Sequence, residues 1–473
     1  MRRGLRADGK TLDFFLKRFI IVFMKIIIIG AGKVGVTLIQ CLVSEGHDVL
    51  FIDRDGKRVS EVANRFAANG ICSVGLSRDT LKEAGVSSAD FVISSTSQDE
   101  VNILCSVLAK KLGAKRTIAR VRDPQYYKEL ENLRTELGLD LIFNPDRRAA
   151  ADIAEVLNFP SARSVESFAD GKAAMAEFDI KKGNPVAGKT LKAISSEFGF
   201  GVLFGMIRRG EDVFIPRGDF TLKEGDAAYV IATEAQIAAF CKKTKTFKPR
   251  AKTVFIVGGG KIGFYLAQML TERGASVKII EKDKARCEFL SENLDYVTVI
   301  NGDGTDLNVL NEEDIKSADA VVTLTGMDEE NVIISLYAKQ KKVEKVVTKV
   351  NRDSVSEMVK TLGLDTVISP RNSIANHILR FVRSHFSEKD GGINALYKLP
   401  GKAEASEFTV TESFPFVGKP LSSYTIRRDV LIGGIVREGG FVVPKGDTSL
   451  LKGDRVIVVS ATKKINALEG ILK

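Results

Sequence analysis

Cysteine and histidine are scarce in this sequence. The chain of 473 residues contains five cysteines and three histidines. The number of cysteines is odd and no C-x-x-C pair occurs, so we predict neither a disulfide framework nor a zinc site, and we expect a reducing compartment. No H-E-x-x-H, G-x-S-x-G or P-loop lysine motif is present. We therefore expect no metal ion and no catalytic residue.

Long apolar runs are also missing. The most apolar N-terminal stretch, residues 14–29, is interrupted by basic residues, whereas a membrane-spanning helix needs about 20 consecutive apolar residues. No small-residue cleavage site precedes the first predicted strand, which argues against a signal peptide. Because Met24 stands directly before that strand, residues 1–23 are interpreted as an extension from an upstream start.

A broad basic surface is not expected, although the net charge is +10. The excess positive charge lies in residues 1–23 and 242–252, and the rest of the chain is neutral overall. A nucleic-acid-binding domain carries its basic residues clustered on one face, so we expect no nucleic-acid partner. Residues 242–252 are interpreted as a solvated linker, with contact to anionic lipid as the alternative.

A glycine-rich turn occurs twice in the chain. I-I-I-I-G-A-G-K-V-G covers residues 26–35, and T-V-F-I-V-G-G-G-K-I-G covers residues 253–263. A buried strand that runs into a G-x-G-x-x-G turn and a helix is how doubly wound folds receive a nucleotide pyrophosphate. The lysine in each turn, Lys33 or Lys261, is interpreted as a phosphate contact, with a solvated helix residue as the alternative. The candidate phosphate-binding residues are Gly30, Ala31, Gly32, Lys33, Val34 and Gly35, and Gly258, Gly259, Gly260, Lys261, Ile262 and Gly263.

Acidic residues end the second predicted strand of each copy. Asp53 and Glu281 stand at the same distance from their glycine turns. A carboxylate at this position accepts the hydroxyls of an adenosine ribose and repels a 2′-phosphate, which favours NAD(H) or ATP/ADP over NADP. An ordinary strand-end acid is the alternative, and the neighbouring cations Arg54 and Lys282 weaken the exclusion of NADP.

Other strand ends supply further candidate ligand contacts. The fourth predicted strands are followed by Thr96 and Ser97 in the first copy and by Thr325 in the second. Arg120 and Lys349 close the fifth strands, where each is either a phosphate contact or a surface cation. Ligands in open α/β sheets bind at this carboxyl edge, so we predict that these residues flank the nucleotide.

The third strands end differently in the two copies. We align G-D-G-T-D at residues 302–306 with G-L-S-R-D at residues 75–79, which places Leu76 opposite Asp303. If this acid helps to hold the adenosine, the two sites are not equivalent and the first is the less complete.

Strands and helices alternate through each copy, which predicts a parallel sheet covered on both faces. A short β-rich part with Gly, Pro and Asp turns follows each sheet. We predict an α/β fold of two tandem Rossmann-like domains, each followed by a small α+β domain. The predicted parts are an extension (1–23), a first nucleotide-binding domain (24–150), a first small domain (160–241), a basic linker (242–252), a second nucleotide-binding domain (253–378) and a second small domain (386–473).

These motifs together resemble the regulator-of-potassium-conductance (RCK) family. The resemblance rests on the repeated glycine turns with their acids, on residues 302–306 and on I-A-R-V at residues 118–121. G-K-T-L at residues 188–191 and P-R-G-D at residues 216–219 resemble the family's carboxy-terminal subdomain, often called TrkA-C. Two copies in one chain resemble the peripheral regulatory subunits of bacterial Trk potassium-uptake systems, over residues 24–473.

The resemblance implies a regulatory subunit on the cytoplasmic face of the membrane. It implies that NAD(H) and ATP/ADP bind the glycine turns and change the shape of a ring, expected to be a homotetramer, which gates a potassium translocator of the TrkH/TrkG type. The implied site residues beyond the glycine turns are Asp53 and Glu281 for ribose, Thr96, Arg120, Thr325 and Lys349 as flanking contacts, and Asp303 as an acidic contact.

Two other classes of function stay open. One is an NAD-dependent oxidoreductase built from two fused Rossmann domains, which would need a proton donor and a substrate clamp. The β-rich parts offer only ordinary turns for those roles. The other is a sensor without a membrane partner. The sequence does not decide which nucleotide activates or which half binds which ligand.

Overall fold

The structure is a computed structural model that describes residues 23–473 apart from 200, 365, 386–391, 439 and 462–463. Except for Phe23, the predicted N-terminal extension lies outside the described residues. The chain divides into two compact units, of which the first ends at Phe143 and the second runs from Asn144 to Lys473.

The first unit is built on a six-stranded sheet in the order β3-β2-β1-β4-β5-β6. All neighbouring strands are parallel. The isoleucine run forms the central strand and is buried, because a parallel sheet is covered by helices on both faces. The elements are β1 (Lys25–Ile29), α1 (Lys33–Ser44), β2 (Asp48–Asp53), α2 (Gly56–Phe66), β3 (Asn69–Cys72), α3 (Arg78–Glu83), β4 (Phe91–Ser94), α4 (Asp99–Lys111), β5 (Arg116–Arg120), α5 (Pro124–Leu133) and β6 (Leu141–Phe143).

The second unit begins with a helix whose N-terminus is capped by the side chain of Asn144. A five-stranded antiparallel sheet in the order β10-β9-β11-β8-β7 follows. The elements are α6 (Pro145–Asn158), β7 (Val165–Phe168), β8 (Ala173–Asp179), α7 (Leu191–Phe198), β9 (Leu203–Arg209), β10 (Asp212–Phe214), β11 (Ala227–Ala232) and α8 (Glu234–Lys243).

A second parallel sheet repeats the first one strand for strand, in the order β14-β13-β12-β15-β16-β17. In both sheets the strand order reverses beside the first strand, which opens a crevice at the carboxyl edge. The elements are β12 (Thr253–Val257), α9 (Lys261–Glu272), β13 (Ser276–Glu281), α10 (Lys284–Asn293), β14 (Val297–Asn301), α11 (Leu307–Glu312), β15 (Ala320–Thr323), α12 (Asp328–Gln340), β16 (Lys345–Lys349), α13 (Asp353–Thr361) and β17 (Thr366–Ile368).

A second antiparallel sheet, in the order β18-β19-β22-β20-β21, ends the chain. It shares a hydrophobic core with the first antiparallel sheet, since Met206 and Tyr229 pack in one cluster with Ile457 and Val459. The elements are α14 (Pro370–Ser384), β18 (Ile393–Lys398), β19 (Glu404–Thr409), β20 (Val430–Arg437), β21 (Gly440–Val442) and β22 (Arg455–Ser460).

Charged side chains meet where α6 packs against α14 inside the second unit. Arg148 pairs with Asp152 at 2.6 Å, and Glu166, His377 and Arg380 lie near this pair. Burial, reinforced by the charge of Asp152, raises the pKa of Glu166 to about 8. Burial and the two guanidinium groups lower the pKa of His377 to about 3. The stability of this unit therefore depends on pH.

A buried ion pair ties α14 to the second antiparallel sheet. The Arg383 guanidinium donates to Glu404 Oε2 at 2.8 Å and to Oε1 at 3.1 Å. Both side chains are buried, so the attraction between the two charges offsets the hydration free energy that each loses on burial.

The predicted α/β fold with tandem Rossmann-like domains is confirmed. The strands β7, β8, β18 and β19 were not predicted, because segments such as A-A-M-A-E-F-D and E-A-S-E-F-T are poor in residues that favour strands. The domain boundaries given above stay a prediction. None of the helices described here is long and apolar enough to cross a membrane.

The basic residues of the predicted linker, residues 242–252, are mostly exposed, and two of them also bond to backbone carbonyls. The Lys248 ammonium donates to the carbonyl of Glu344 at 2.7 Å, and the Arg250 guanidinium donates to the carbonyl of Arg273 at 2.7 Å. The linker is therefore attached to the second nucleotide-binding domain within the same unit.

Candidate nucleotide-binding sites

The first glycine of each turn bends the chain away from the end of the first strand. Gly30 and Gly258 have φ angles of +97° and +107°, which other residues rarely adopt. A Cβ on Gly30 would lie 2.8 Å from the Thr96 amide nitrogen, and one on Gly258 would lie 2.8 Å from the Leu324 carbonyl carbon. Each turn thus lies against the loop after the fourth strand, at the crevice of its sheet.

The third glycine lets the helix pack on the turn. Gly35 lies in α1 and Gly263 in α9, and both are buried. A Cβ at either position would overlap the carbonyl oxygen of the first glycine of its own turn. The first and third glycines are therefore required by the fold itself.

The middle glycines have no such internal cause. Gly32 and Gly260 have φ angles of −69° and −61°, which any residue adopts. A Cβ at either position would meet no atom within 4 Å. Glycine is a better N-cap residue than alanine, but it also leaves the backbone open to a group that approaches from outside the chain. In doubly wound folds the group that binds at this position is a nucleotide phosphate.

The helices that follow the turns begin without a side-chain cap. Their N-cap residues are Gly32 and Gly260, and their first turns contain no acid. The next helices, α2 and α10, are capped by the side chains of Asp55 and Asp283. Because the first N–H groups of a helix need an acceptor and carry partial positive charge, α1 and α9 are suited to a phosphate.

The lysines of the turns are the first residues of these helices. Lys33 is exposed and Lys261 is half-buried, so both ammonium groups lie on helix ends where an anion would bind. Of the residues that follow, Val34 is half-buried, whereas Ile262 packs into the hydrophobic core. Ile262 can therefore reach a ligand only through its backbone.

The strand-end acids hold the glycine turns. Asp53 Oδ2 accepts the N–H of Ala31, and Glu281 Oε2 accepts the N–H of Gly259, each at 2.7 Å. The second oxygen accepts the N–H two residues further on, at 3.0 Å for Asp53 and 2.9 Å for Glu281. Since a carboxylate has about four acceptor positions, each acid keeps capacity for ribose hydroxyls. Each acid thus supports its glycine turn.

In the first site, a buried asparagine organises the loop after β4. The N–H and Oγ1 of Thr96 donate to Asn102 Oδ1 at 2.6 and 2.8 Å, and the Asn102 amide donates to the Arg120 carbonyl at 3.0 Å. Arg120 is buried at the end of β5, and Ser97 is exposed. The structure therefore brings Thr96 and Arg120 together at the crevice.

The second site repeats this arrangement. Thr325 N–H donates to Asn331 Oδ1 at 2.8 Å, and the Asn331 amide donates to the Lys349 carbonyl at 3.1 Å. The Lys349 ammonium donates to the carbonyls of Leu324 at 3.2 Å and Thr325 at 2.6 Å. Burial lowers the pKa of Lys349. Through its two hydrogen bonds, the Lys349 ammonium holds the loop after the fourth strand in place.

The asparagines were missed from the sequence, although a signal was present. D-E-x-N occurs at residues 99–102 and 328–331, once in each copy. The first acid of each motif also accepts backbone N–H groups after the fifth strand, from Arg122 and Asp123 to Asp99 and from Asn351 and Arg352 to Asp328.

The structure corrects the alignment of the third-strand ends. Ser77 and Asp306 are the N-caps of α3 and α11. Gly75 and Gly304 each lie where a Cβ would overlap a side chain of the first strand. Residues 73–77 therefore correspond to residues 302–306, and the predicted alignment was displaced by matching the wrong glycine.

The residue opposite Asp303 is thus Val74, which is exposed, and the pairing of Asp303 with Leu76 is wrong. The first site still lacks the acid. Asp303 Oδ1 accepts the N–H and the hydroxyl of Thr305 at 2.9 and 2.7 Å, and these hydrogen bonds lower the pKa of Asp303. The acid is therefore held within its own turn.

His377 lies in the α6–α14 junction, where burial lowers its pKa. In the part of the chain that the structure describes, no group of His, Cys, Asp and Glu is placed to hold a metal ion.

The fold defines the class: a protein with two Rossmann-type domains, each followed by an antiparallel β domain. The TrkA-N domain family matches residues 26–145 and 254–370, and the TrkA-C domain family matches residues 175–245 and 405–473. The chain belongs to the TrkA family of Trk-system potassium uptake proteins.

Relatives match this chain over nearly its whole length. Trk system potassium uptake protein TrkA homolog 2 of Methanosarcina mazei is 32% identical over 459 residues, which cover 95% of this chain and 100% of the relative. TrkA of Azorhizobium caulinodans is 28% identical, with coverages of 95% and 99%. These relatives are potassium-uptake proteins and are not named as enzymes.

Among solved structures, the GsuK channel bound to NAD has a TM-score of 0.61 and 19% identity, and the match covers 95% of this chain and 81% of that chain. The GsuK RCK domain has the same TM-score and identity and is covered to 97%. At this identity the likeness shows that the folds agree.

Proposed function

We propose that the chain binds NAD(H) and ATP/ADP at both glycine turns and regulates potassium uptake through them. The observation that carries this proposal is the pair of middle glycines, Gly32 and Gly260. Each leaves open space at an uncapped helix N-terminus. An anion bound directly against the backbone explains both the open space beside each glycine and the missing side-chain cap.

Each nucleotide would be held by groups from the glycine turn and from the carboxyl ends of the neighbouring strands. The phosphates accept hydrogen bonds from the first N–H groups of α1 or α9, with Lys33 or Lys261 adding positive charge. The ribose hydroxyls donate to Asp53 or Glu281, which keep free acceptor positions. Thr96 and Ser97 with Arg120 flank the first nucleotide, while Thr325, Lys349 and Asp303 flank the second.

Regulation by ligand binding requires no covalent bond to form or break. A ligand shifts the balance between two conformations only by its difference in affinity for them. We infer that chains assemble into a ring, a homotetramer, on the cytoplasmic face of the membrane, and that nucleotides change its shape and so gate a potassium translocator of the TrkH/TrkG type. The names of the relatives as Trk potassium-uptake proteins support this partner.

Calorimetric titration of the purified full chain with ADP and with NADH tests the binding proposal. We expect saturable binding of both, and unchanged NADH absorbance on incubation with small keto acids. Ribose 5-phosphate serves as the control for non-specific anion binding and should bind far more weakly. An absence of ADP and NADH binding would refute the proposal, and steady NADH oxidation would favour an oxidoreductase instead.

A further inference from the structure

The two candidate sites differ in how firmly their glycine turns are held before any ligand arrives. In the second site, side chains bond both the backbone N–H and the backbone carbonyl of Gly259. The Gly259 N–H donates to Glu281 Oε2 at 2.7 Å, and the Gly259 carbonyl accepts from Arg286 Nε at 2.7 Å. Gly259, the residue between Gly258 and Gly260, is therefore held by Glu281 at its N–H and by Arg286 at its carbonyl, and Arg286 with Glu281 is called the clamp of the second turn.

The clamping arginine is itself fixed. Its guanidinium carbon lies 4.5 Å from the centre of the Phe289 ring and 6.0 Å from that of Phe264. Stacking on aromatic rings restricts the orientation of a guanidinium group. Arg286 is half-buried, and its burial lowers its pKa, so its contact with Gly259 is made in a partly desolvated place.

A second side chain fixes the backbone around the ribose-binding acid. The Asn301 amide donates to the carbonyls of Glu281 and Lys282, both at 3.1 Å. It also donates to Cys287 Sγ at 3.5 Å, and that thiol donates to the Glu281 carbonyl at 3.2 Å. The segment that carries the acid is thereby tied to α10 and to the end of β14.

The first site has other contacts at the equivalent positions. Arg58 corresponds to Arg286, since each is the third residue after its capping aspartate. It lies 3.9 Å from Asp53 and 3.8 Å from Asp55, with nearly half of its side chain exposed. Cys72, which pairs in register with Asp53 as Asn301 does with Glu281, makes one long contact of 3.8 Å with the Arg54 carbonyl.

The residue between the first and second glycines of the motif, Ala31 in the first site and Gly259 in the second, explains part of this difference. A Cβ on Gly259 would overlap Leu290 and would lie 3.1 Å from Glu281 Cβ. Glycine at this position of the second site therefore leaves room for Leu290 and Glu281. In the first site, Ala31 is combined with the shorter Asp53, and both pairs produce the same 2.7 Å hydrogen bond.

We propose that Arg286 and Asn301 are positioning residues that hold the second nucleotide site in its binding geometry, so that it binds adenine nucleotide more tightly than the first. The inference rests on the proposed function, because it assumes that these turns bind nucleotides. Pre-organisation strengthens binding because the ordering of the site does not have to accompany ligand entry.

Hydrogen–deuterium exchange of the full chain at increasing ADP concentration tests this, since peptides covering residues 29–36 and 257–264 report each site separately. In the wild type we expect the second turn to gain protection at lower ADP concentration. Arg286→Ala should raise the ADP concentration needed at the second turn about tenfold, the effect of one charge-assisted hydrogen bond. Arg286→Lys, which keeps a donor, should recover part of the loss.

Matched variants in the first site complete the design. Arg58→Ala should change ADP protection of the first turn less than about twofold, because its ion pairs are long and exposed. Cys72→Asn should strengthen the first site by introducing amide donors. Asn301→Ala should weaken the second site, and thermal unfolding of each variant shows whether it folds.

The possible results separate this inference from the proposed function. If ADP protects neither turn in the wild type, the proposed function fails. Without ligand, the Arg286→Ala exchange rate at the second turn still reports on the clamp, and an unchanged rate overturns the positioning role. If ADP protects both wild-type turns equally, or if Arg286→Ala and Asn301→Ala leave the second site unchanged, the inference fails while the proposed function stands.

Discussion

Substitution of Gly260 by alanine separates the needs of the fold from those of a ligand. The backbone at this position has an ordinary φ of −61°, and an added Cβ meets no atom within 4 Å. Alanine costs helix-capping free energy relative to glycine but reduces the entropy of the unfolded chain. We expect these effects to cancel to within about 1 kcal/mol of unfolding free energy.

The effect on nucleotide binding should be much larger. The new methyl group occupies the approach of the phosphate to the start of α9 and breaks at least two charge-assisted hydrogen bonds of about 1.5 kcal/mol or more each. A loss of about 3 kcal/mol corresponds to a Kd about a hundredfold higher. Calorimetry with ADP on the full chain should therefore show one class of site missing, while denaturant unfolding stays near that of the wild type.

Two further variants make this result decisive. Gly32→Ala should remove the other class of site with as little effect on folding. Gly263→Ala should destabilise the domain itself, because its Cβ overlaps the Gly258 carbonyl oxygen. If Gly260→Ala binds ADP like the wild type, the argument from open space is wrong and the middle glycine needs another explanation.

Three other substitutions test particular contacts. Gly259→Ala should weaken ADP binding at the second site about tenfold because its Cβ would overlap Leu290 and crowd Glu281, whereas Ala31→Gly should change the first site less than about threefold; equal effects in calorimetry would show that the second turn tolerates a Cβ as the first does. Between its unfolded pKa of about 4.3 and about 8, folded Glu166 holds a proton that the unfolded chain has lost, so unfolding free energy falls as pH rises through this window. Glu166→Gln should reduce that fall between about pH 6.5 and 8 in urea unfolding, and an unchanged slope would refute the assignment. Glu404→Gln removes the charged partner of Arg383 and should lower unfolding free energy by about 3–5 kcal/mol; a loss below about 1 kcal/mol would show that the pair is dispensable.

The tandem fold was predictable because its strongest signals are local and repeated. Four consecutive isoleucines before a glycine turn specify a buried parallel strand, and a second copy makes coincidence implausible. The antiparallel sheets were only partly predictable. Strands such as β8 are held by their neighbours in the sheet, and this support is not visible in an alanine-rich sequence.

For the sites, the sequence indicated the glycine turns and their acids but not the side chains that hold them. Asn102 and Asn331 are buried in helices and act on loops distant in sequence. Arg286 and Asn301 act on backbone carbonyls, which carry no sequence signal. The displaced alignment at Asp303 arose because two glycines compete for one position, and only the N-caps of α3 and α11 decide between them.

In the proposed function, nucleotides bound at the two turns control potassium movement. Potassium uptake into vesicles that contain a Trk-type translocator and the purified chain tests it, with ADP, ATP and NADH compared against no nucleotide. We predict that the uptake rate depends on the nucleotide present and that a chain carrying both Gly32→Ala and Gly260→Ala loses this dependence. Uptake that is the same with every nucleotide and with none, or a double variant that responds like the wild type, would contradict the claim.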